Sequence, residues 1–388
     1  MTRRFVIPVL PHLRPMRMLL PLLASIVLGT AQGQADGIGA GGKAAPGASR
    51  FLLGADLSLL QHLEDRGVRY KEAGQAKDAL RLFKDHGCNC VRLRLFVSPD
   101  GTRGQVNTLG YTLKLARRVK QAGLQLMLDL HYSDHWADPA HQRIPDEWKD
   151  LAHAQLVERV SAYTRDTLGA FEREGCLPDI VAVGNEITNG FLWPDGGPLK
   201  DEARWGAMAD LLKAGLGGAR AGAGGRALRT MVHIDKGGDR QVCGWFFDQL
   251  QRRGVDFDLI GLSYYPFWHG TLADLRANLA ALADTFRKDI VVVETGYDAA
   301  GGPQADLPFP PTPAGQKAFL EELIRVVVAT PGGRGRGVVY WAPEWIPAKE
   351  ADGAAAPGPW AGRALFDEAG NMRPALDAFR GAAGSGTY

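Results

Sequence analysis

Cysteine is scarce in this chain: four among 388 residues, at positions 88, 90, 176 and 243. That excludes a small disulfide-stapled scaffold. A zinc site wants Cys or His paired at short spacing, and these positions do not offer it. Cys88 and Cys90 sit two apart, a poor distance for pairing with each other on an extended chain. Buried thiols, with at most one structural bridge, are expected. Excess charge is also missing. Lys and Arg total 45 against 43 Asp and Glu, a net charge of +2, so composition points to neither nucleic acid nor a membrane surface as partner. The apolar run "MLLPLLASIVLG" at 18–29 is too short for a comfortable membrane span.

That run has another use. Basic residues (Arg3, Arg4, Arg14, Arg17) precede it and small residues follow at 31–33, the pattern of an export signal. No Cys follows it, which argues against a lipid anchor there. Residues 1–33 are therefore expected to be a signal peptide and 34–50, rich in Gly and Ala, a linker. The chemistry is expected in one domain over 51–382, with a disordered tail at 383–388. The product would be secreted or periplasmic, free of the membrane after signal removal, and a monomer.

From residue 51 the chain is rhythmic. Eight short β-rich runs occur at 51–56, 90–96, 124–130, 180–186, 228–234, 259–265, 289–295 and 337–343. Amphipathic helical patterns lie between them at 111–123, 151–175, 199–222, 271–288 and 313–330. Strand–helix alternation argues for parallel pairing, and eight such units argue for a single (β/α)8 TIM barrel with its active site at the C-terminal ends of the strands.

Those ends carry Asp56, Arg92, Arg94, Asp129, His131, Asn185, Glu186, His233, Asp235, Tyr264, Tyr265, Glu294 and Trp341. Glu186 closes the fourth run and Glu294 the seventh, so the two acids would face each other across the barrel mouth. Two carboxylates flanking a gap are what glycosidic cleavage needs: one protonates the leaving oxygen, the other attacks the sugar or activates water. Arg92 and Arg94, two apart, point to one face, where an Arg can hold Glu294 ionised, or both can join a structural ion-pair network. Asn185 stands beside Glu186 and can bond a sugar hydroxyl. A Tyr from "SYYP" can bond the nucleophile.

The segments "NCVRLRLFVSP", "DLHYSDHWADP", "VGNEITNGFLWP", "GLSYYPFWHG" and "VVVET" together resemble family 53 of the glycoside hydrolases, the endo-β-1,4-galactanases of arabinogalactan and pectin side chains. "GNE" alone would indicate only a wider clan of retaining barrel glycosidases; the ordered set is far more specific. The likeness runs from about residue 51 to 382. It implies Glu186 as acid/base and Glu294 as nucleophile of a retaining double displacement, with the carboxyls about 5–5.5 Å apart. It also implies Trp341 as an aromatic floor under the sugar, and His131, Asp134 and Trp136, from the long loop at 131–148, as sugar contacts. The substrate would be β-1,4-galactan. No cofactor is required. Calcium is possible in bacterial relatives in the loop at 296–316, but only Asp298 and Asp306 stand there as acids, an incomplete set for an ion that wants six to eight oxygens.

Two other classes remain open on the residues. One is a non-catalytic galactan-binding barrel, or an endo-glycanase of the same clan acting on another β-1,4-glycan. The other is a metal-dependent hydrolase built on His131, His135 and His233. Packing under loops and sugar binding compete as roles for Trp136, Trp193, Trp268 and Trp345.

Overall fold

The eight aliphatic runs become strands because a parallel barrel strand is buried on both faces and needs apolar residues at nearly every position. In the computed structural model, which describes residues 50–301, 307–347 and 360–384, they are β1 (Leu52–Asp56), β2 (Cys90–Leu95), β3 (Gln125–Leu130), β4 (Ile180–Val183), β5 (Arg229–Ile234), β6 (Leu259–Ser263), β7 (Asp289–Glu294) and β8 (Gly335–Trp341). Each pairs in parallel with the next, and β8 pairs with β1, which closes the barrel. The expected signal peptide and most of the linker lie outside the described residues.

Helices alternate with the strands: α1 (Ala79–Asp85), α2 (Leu109–Gln121), α3 (His153–Arg173), α4 (Glu202–Gly222), α5 (Arg240–Arg252), α6 (Leu272–Phe286), α7 (Pro313–Val328) and α8 (Asp377–Gly384). Their starts are written locally. Thr108, Asp201, Asp239, Thr271 and Thr312 each accept a backbone N–H of the first turn, satisfying a donor that the helix itself leaves unpaired. The sequence pattern missed α5, although Cys243, Phe246, Phe247 and Leu250 form a regular buried stripe there, and the short α1 and α8. Helix α8 carries the barrel two residues past the expected boundary at 382.

An antiparallel hairpin, Tyr70–Glu72 with Gln75–Lys77, precedes α1. The buried His86 ties it to the end of the chain: Nε2 meets Glu72 Oε1 at 2.9 Å and Nδ1 meets Asp377 Oδ1 at 2.8 Å. All four cysteines are buried thiols. Among the described residues no helix is long and apolar enough to cross a membrane.

What positions the site is a change of polarity inside the barrel. Its lower interior is apolar, filled by Leu52, Cys90, Met127, Ile180, Ala182, Met231, Leu259, Val291, Val293 and Val339. One pleat higher on the same strands stand Asp56, Arg92, Arg94, Asp129, His233 and Ser263, all buried. Gly54 is the spacer between the layers on β1. A Cβ there would meet Val339 Cγ2 at 2.8 Å, directly below Asp56 and Trp341. Gly54→Ala should therefore destabilise the fold by about 1–3 kcal/mol through overpacking, read as a lower denaturant midpoint. An unshifted midpoint would mean that the floor is looser than its contacts imply.

Candidate active site

Strand β4 stops at Val183, three residues before its acid. Gly184 follows with φ 85°, where a Cβ would meet Ile187 Cγ2 at 2.6 Å. Glu186 itself takes a left-handed conformation, φ 49° and ψ 48°, at the start of a short 3-10 turn, Ile187–Asn189. Such backbone costs on the order of 1–3 kcal/mol in a residue other than glycine and persists only when its surroundings hold it. Here Gln142 Nε2 donates to the Asn185 carbonyl at 2.8 Å, and Asn185 Nδ2 donates to the Ala137 carbonyl at 2.8 Å. The turn swings the Glu186 side chain over the barrel mouth.

Glu294 is aimed by a different irregularity. Val291 and Val293 face the barrel interior, so strict alternation would send Glu294 outward. The β6–β7 register instead slips between Leu262 and Ser263, and Ser263 pairs with Glu294. A bulge of this kind re-aims one side chain, and Glu294 turns into the mouth, 6 % exposed.

Arg92 organises both acids. Its guanidinium donates to Asp56 Oδ2 at 2.6 Å, Asp129 Oδ2 at 2.8 Å and Asn185 Oδ1 at 2.9 Å, and it lies 2.7 Å from Glu294 Oε1. The Tyr265 hydroxyl donates to Glu294 Oε2 at 3.3 Å. Arg94 donates to Asp56 Oδ1 at 2.9 Å. Burial alone would raise Asp56, but Arg94 and Arg92 override it and hold its carboxyl at about 2. The two glutamates behave differently. Burial, then the nearby Glu294 charge, pushes Glu186 well above the usual carboxylate range. Burial raises Glu294 too, but Arg92 pulls against it. Both are raised, Glu294 to about 7 and Glu186 further still, so of the pair Glu294 ionises the more readily.

His131 closes the layer. Its Nδ1 accepts the Ala137 N–H at 3.2 Å and its Nε2 lies 3.1 Å from Asp129 Oδ2. That assigns the proton to Nε2. Burial, helped by Arg94 and Arg92, outweighs Asp129 and lowers its pKa, so the ring is neutral.

Above this layer the walls are aromatic. Trp136, Trp268, Trp341, Trp345 and Trp360 line one cavity of about 540 Å3, and both glutamates open into it. Arg94 lies 4.6 Å from the Trp136 ring and 5.4 Å from the Trp341 ring, which pins both rings from below. Arg363 does the same further along the wall, 4.1 Å from Phe267 and 4.2 Å from Trp360, which packs on Trp341. Its Nε donates to Asp298 Oδ1 at 3.0 Å. Asp298, a candidate calcium ligand, thus already faces a cation, and Asp306 lies outside the described residues. Among the described residues, those present do not fit a calcium site. Among the described residues no group of three His, Cys, Asp or Glu could hold a metal. His131, His135 and His233 are engaged with Asp129, Gln105 and Ser263 respectively.

Of the residues expected at the site, Asn185, Glu186, His131, Trp136, Tyr265, Glu294 and Trp341 line the cavity, and Arg92 and Arg94 lie beneath it. Tyr264 and Asp134 do not reach it. Tyr264 points the other way from Tyr265, into the core, and its hydroxyl donates to the Gly270 carbonyl at 2.9 Å. Asp134 is a loop tether, accepting the Ser98 N–H at 2.8 Å and the Asp146 N–H at 2.9 Å. Trp193 lies outside the cavity, its Nε1 donating to the Asn189 carbonyl. Gln142, His269 and Trp360 were not legible. They carry no motif, and only the folded loops bring them to the mouth. If Asp134 is a tether, Asp134→Ala should lower the unfolding midpoint by the equivalent of about 1–2 kcal/mol. Asp134→Asn, which keeps an acceptor oxygen, should lose less. A raised KM with an unmoved midpoint in both would restore it as a sugar contact.

Comparison with known proteins agrees with this geometry. The model of glycosyl hydrolase family 53 matches residues 52–379. A probable arabinogalactan endo-β-1,4-galactanase A of Neosartorya fischeri is 39% identical over 315 residues, covering 77% of this chain and 85% of that protein. The arabinogalactan endo-β-1,4-galactanase of Cellvibrio japonicus is 35% identical over 312 residues, 76% of this chain and 81% of that one. A solved structure from a study of two fungal β-1,4-galactanases superposes with a TM-score of 0.77 at 32% identity, over 86% of this chain and 99% of the other. With the family model spanning the whole barrel and such relatives beside it, the chain belongs to glycosyl hydrolase family 53 and is a glycoside hydrolase.

Proposed function

We propose that this chain is an exported endo-β-1,4-galactanase that cleaves internal bonds of β-1,4-galactan by a retaining double displacement. The observation that carries the mechanism is the unequal treatment of two glutamates on one cavity: Glu294 faces the Arg92 guanidinium and the Tyr265 hydroxyl, while burial and that neighbouring charge raise Glu186. The substrate rests on the relatives named galactanases. Export rests on the basic and apolar pattern at residues 1–33.

The chemistry then balances as follows. Glu186 gives its proton to the glycosidic oxygen as the bond from that oxygen to the anomeric carbon breaks. A Glu294 carboxylate oxygen bonds to the same carbon from the opposite face. Glu186, now a carboxylate, takes a proton from water, and the water oxygen displaces Glu294 with a second inversion. Trp341 and Trp136 offer flat faces to the sugar, and Asn185 keeps one amide hydrogen for a hydroxyl beside the reacting carbon. No step calls on a metal ion.

Glu186→Gln and Glu294→Gln should each lower kcat on galactan by roughly 10²-fold or more, with NMR of the first product in the wild type showing retained anomeric configuration. An inverted first product would sink the double displacement. The pH profile of kcat/KM should be bell-shaped, rising as Glu294 ionises and falling as Glu186 loses its proton. Glu186→Gln removes the group behind the alkaline fall. Product analysis on galactan, mannan and cellulose should give long oligomers early from galactan alone. An excess of chelator should leave both kcat and the unfolding midpoint unchanged, and a drop in either would expose a cation role that the Asp298–Arg363 pair argues against.

A further inference from the structure

Past the end of β8 the chain runs Trp341, Ala342, Pro343, Glu344, Trp345. Both tryptophan rings line the cavity, with 5.8 Å between their centroids. The acid between them does not line it. Glu344 is fully buried, and the cleavage steps above make no use of it. A glutamate is almost never buried so completely without a partner that needs it.

The turn that separates the two rings is tight. Ala342 takes a left-handed conformation, φ 47°, and its carbonyl accepts the Trp345 N–H at 3.2 Å. Such backbone persists only where its surroundings hold it. Glu344 ties the turn to two other segments. Its Oε1 accepts the Leu59 N–H, in the loop after β1, at 2.9 Å. Its carbonyl accepts the Tyr70 hydroxyl, from the hairpin, at 2.9 Å, and the Ile346 N–H at 2.9 Å. Leu59 in turn shares a neighbour with Trp136: a Cβ on Gly104 would lie 3.6 Å from Trp136 Cζ2 and 3.8 Å from Leu59 Cδ2. One side chain thus joins the turn that bears two tryptophans to a segment that borders a third.

We propose that Glu344 is a positioning residue for the aromatic wall, latching the turn between Trp341 and Trp345 to the loop after β1 so that both rings present one surface to the sugar. The assignment rests on the reading of this cavity as a galactan cleft. The latch works in its uncharged form. Glu344 Oε2 has no partner in the protein, and a carboxylate there would be a bare interior charge. The charged and titratable groups around it are Asp56 on β1, Arg94 on β2, Tyr70 on the hairpin and Tyr111 on α2. Burial, then the Asp56 charge, outweighs Arg94 and pushes the Glu344 carboxyl up to about 8.

Glu344→Ala cuts the latch. In the full-length enzyme it should raise KM on galactan about 3- to 10-fold and lower kcat less. Glu344→Gln keeps an oxygen for the Leu59 N–H and should hold KM within about twofold of wild type. Trp345→Ala should raise KM too, and combining it with Glu344→Ala should add little, because both changes act on one wall. Tyr70→Phe removes only the hydroxyl on the Glu344 carbonyl. It should raise KM in the same direction by less, and it decides the matter if Glu344→Ala does not fold. A lower unfolding midpoint with KM unmoved, or additive effects in the double variant, would leave Glu344 a structural role and overturn the proposal.

The charge state has its own readout. Unfolded, Glu344 ionises at about 4.5; folded, at about 8. Wild type therefore loses stability across that window and Glu344→Gln does not, so the variant's midpoint should rise relative to wild type from about pH 4.5 to about 8. A flat difference would mean an ionised latch and would sink the proposal in this form. Acrylamide quenching of tryptophan emission reads the wall without any substrate. Glu344→Ala should be quenched more than wild type and Glu344→Gln no more; equal quenching in all three would overturn the latch. Wild-type enzyme that left galactan uncut would fail the functional reading instead, and the quenching would still decide the role of Glu344.

Discussion

One buried guanidinium sets the electrostatic order of the barrel mouth. Arg92 is surrounded by Asp56, Asp129, Glu294 and the Asn185 amide, all close enough for charge-assisted bonds. With Arg94 it supplies two positive charges to a layer holding five acids: Asp56, Asp129, Glu186, Glu294 and Glu344. Two cations cannot keep four buried carboxylates and the half-buried Glu186 all ionised. Asp56 is held below its ordinary range by Arg94 and Arg92, Asp129 by Arg92 and His131, and Glu344, away from the cavity, is pushed up to about 8 by burial and the Asp56 charge. Glu294 shares Arg92, and Glu186 is left as a stored proton beside it. Breaking such a cluster by removing one partner typically costs about 3–5 kcal/mol, so the charge pattern is part of the fold as well as of the chemistry.

The barrel was readable because its strands must be apolar on both faces and its helices begin with side chains that cap them. Eight aliphatic runs appeared at the observed positions to within a few residues. The polar strand ends were readable for the same reason: a charge at the tip of such a run has no core to join. What the sequence could not express is local backbone geometry. Nothing in "SYYP" says which tyrosine meets the cleft, because β6 is buried on both faces: Leu259, Ser263 and Tyr265 alternate into the barrel while Leu262 and Tyr264 pack outward. Nothing in "VGNE" says that the strand ends at Val183 and that Glu186 arrives on a left-handed turn. Asp134 looked like a sugar ligand because it stands among aromatic and polar residues, but backbone N–H groups claim both of its oxygens. Trp360 lies beyond β8 in a stretch with no periodic pattern, and only tertiary packing against Trp341, 4.6 Å between centroids, brings it to the site.

The two glutamates are thus delivered by two breaks in regular structure, a turn after β4 and a bulge between β6 and β7. Regular strands supply the fixed charges beneath them. Rigidity and precision are divided in the same way above the site. Arginines under the rings hold the Trp walls, so flat surfaces that could otherwise rotate are locked without using polar groups that a sugar would need.

The closing of the barrel has a consequence for biosynthesis. β8 lies between β7 and β1, the Glu344 carboxyl holds the Leu59 N–H, and His86 reaches Asp377. A nascent chain that has emerged only through β7 already contains both acids and Arg92. It still lacks Trp341, Trp345 and Trp360, and its sheet has an open seam where water enters the charged layer. Competence to cut therefore arrives with the last quarter of the polypeptide, in a single late step, rather than accumulating as synthesis proceeds.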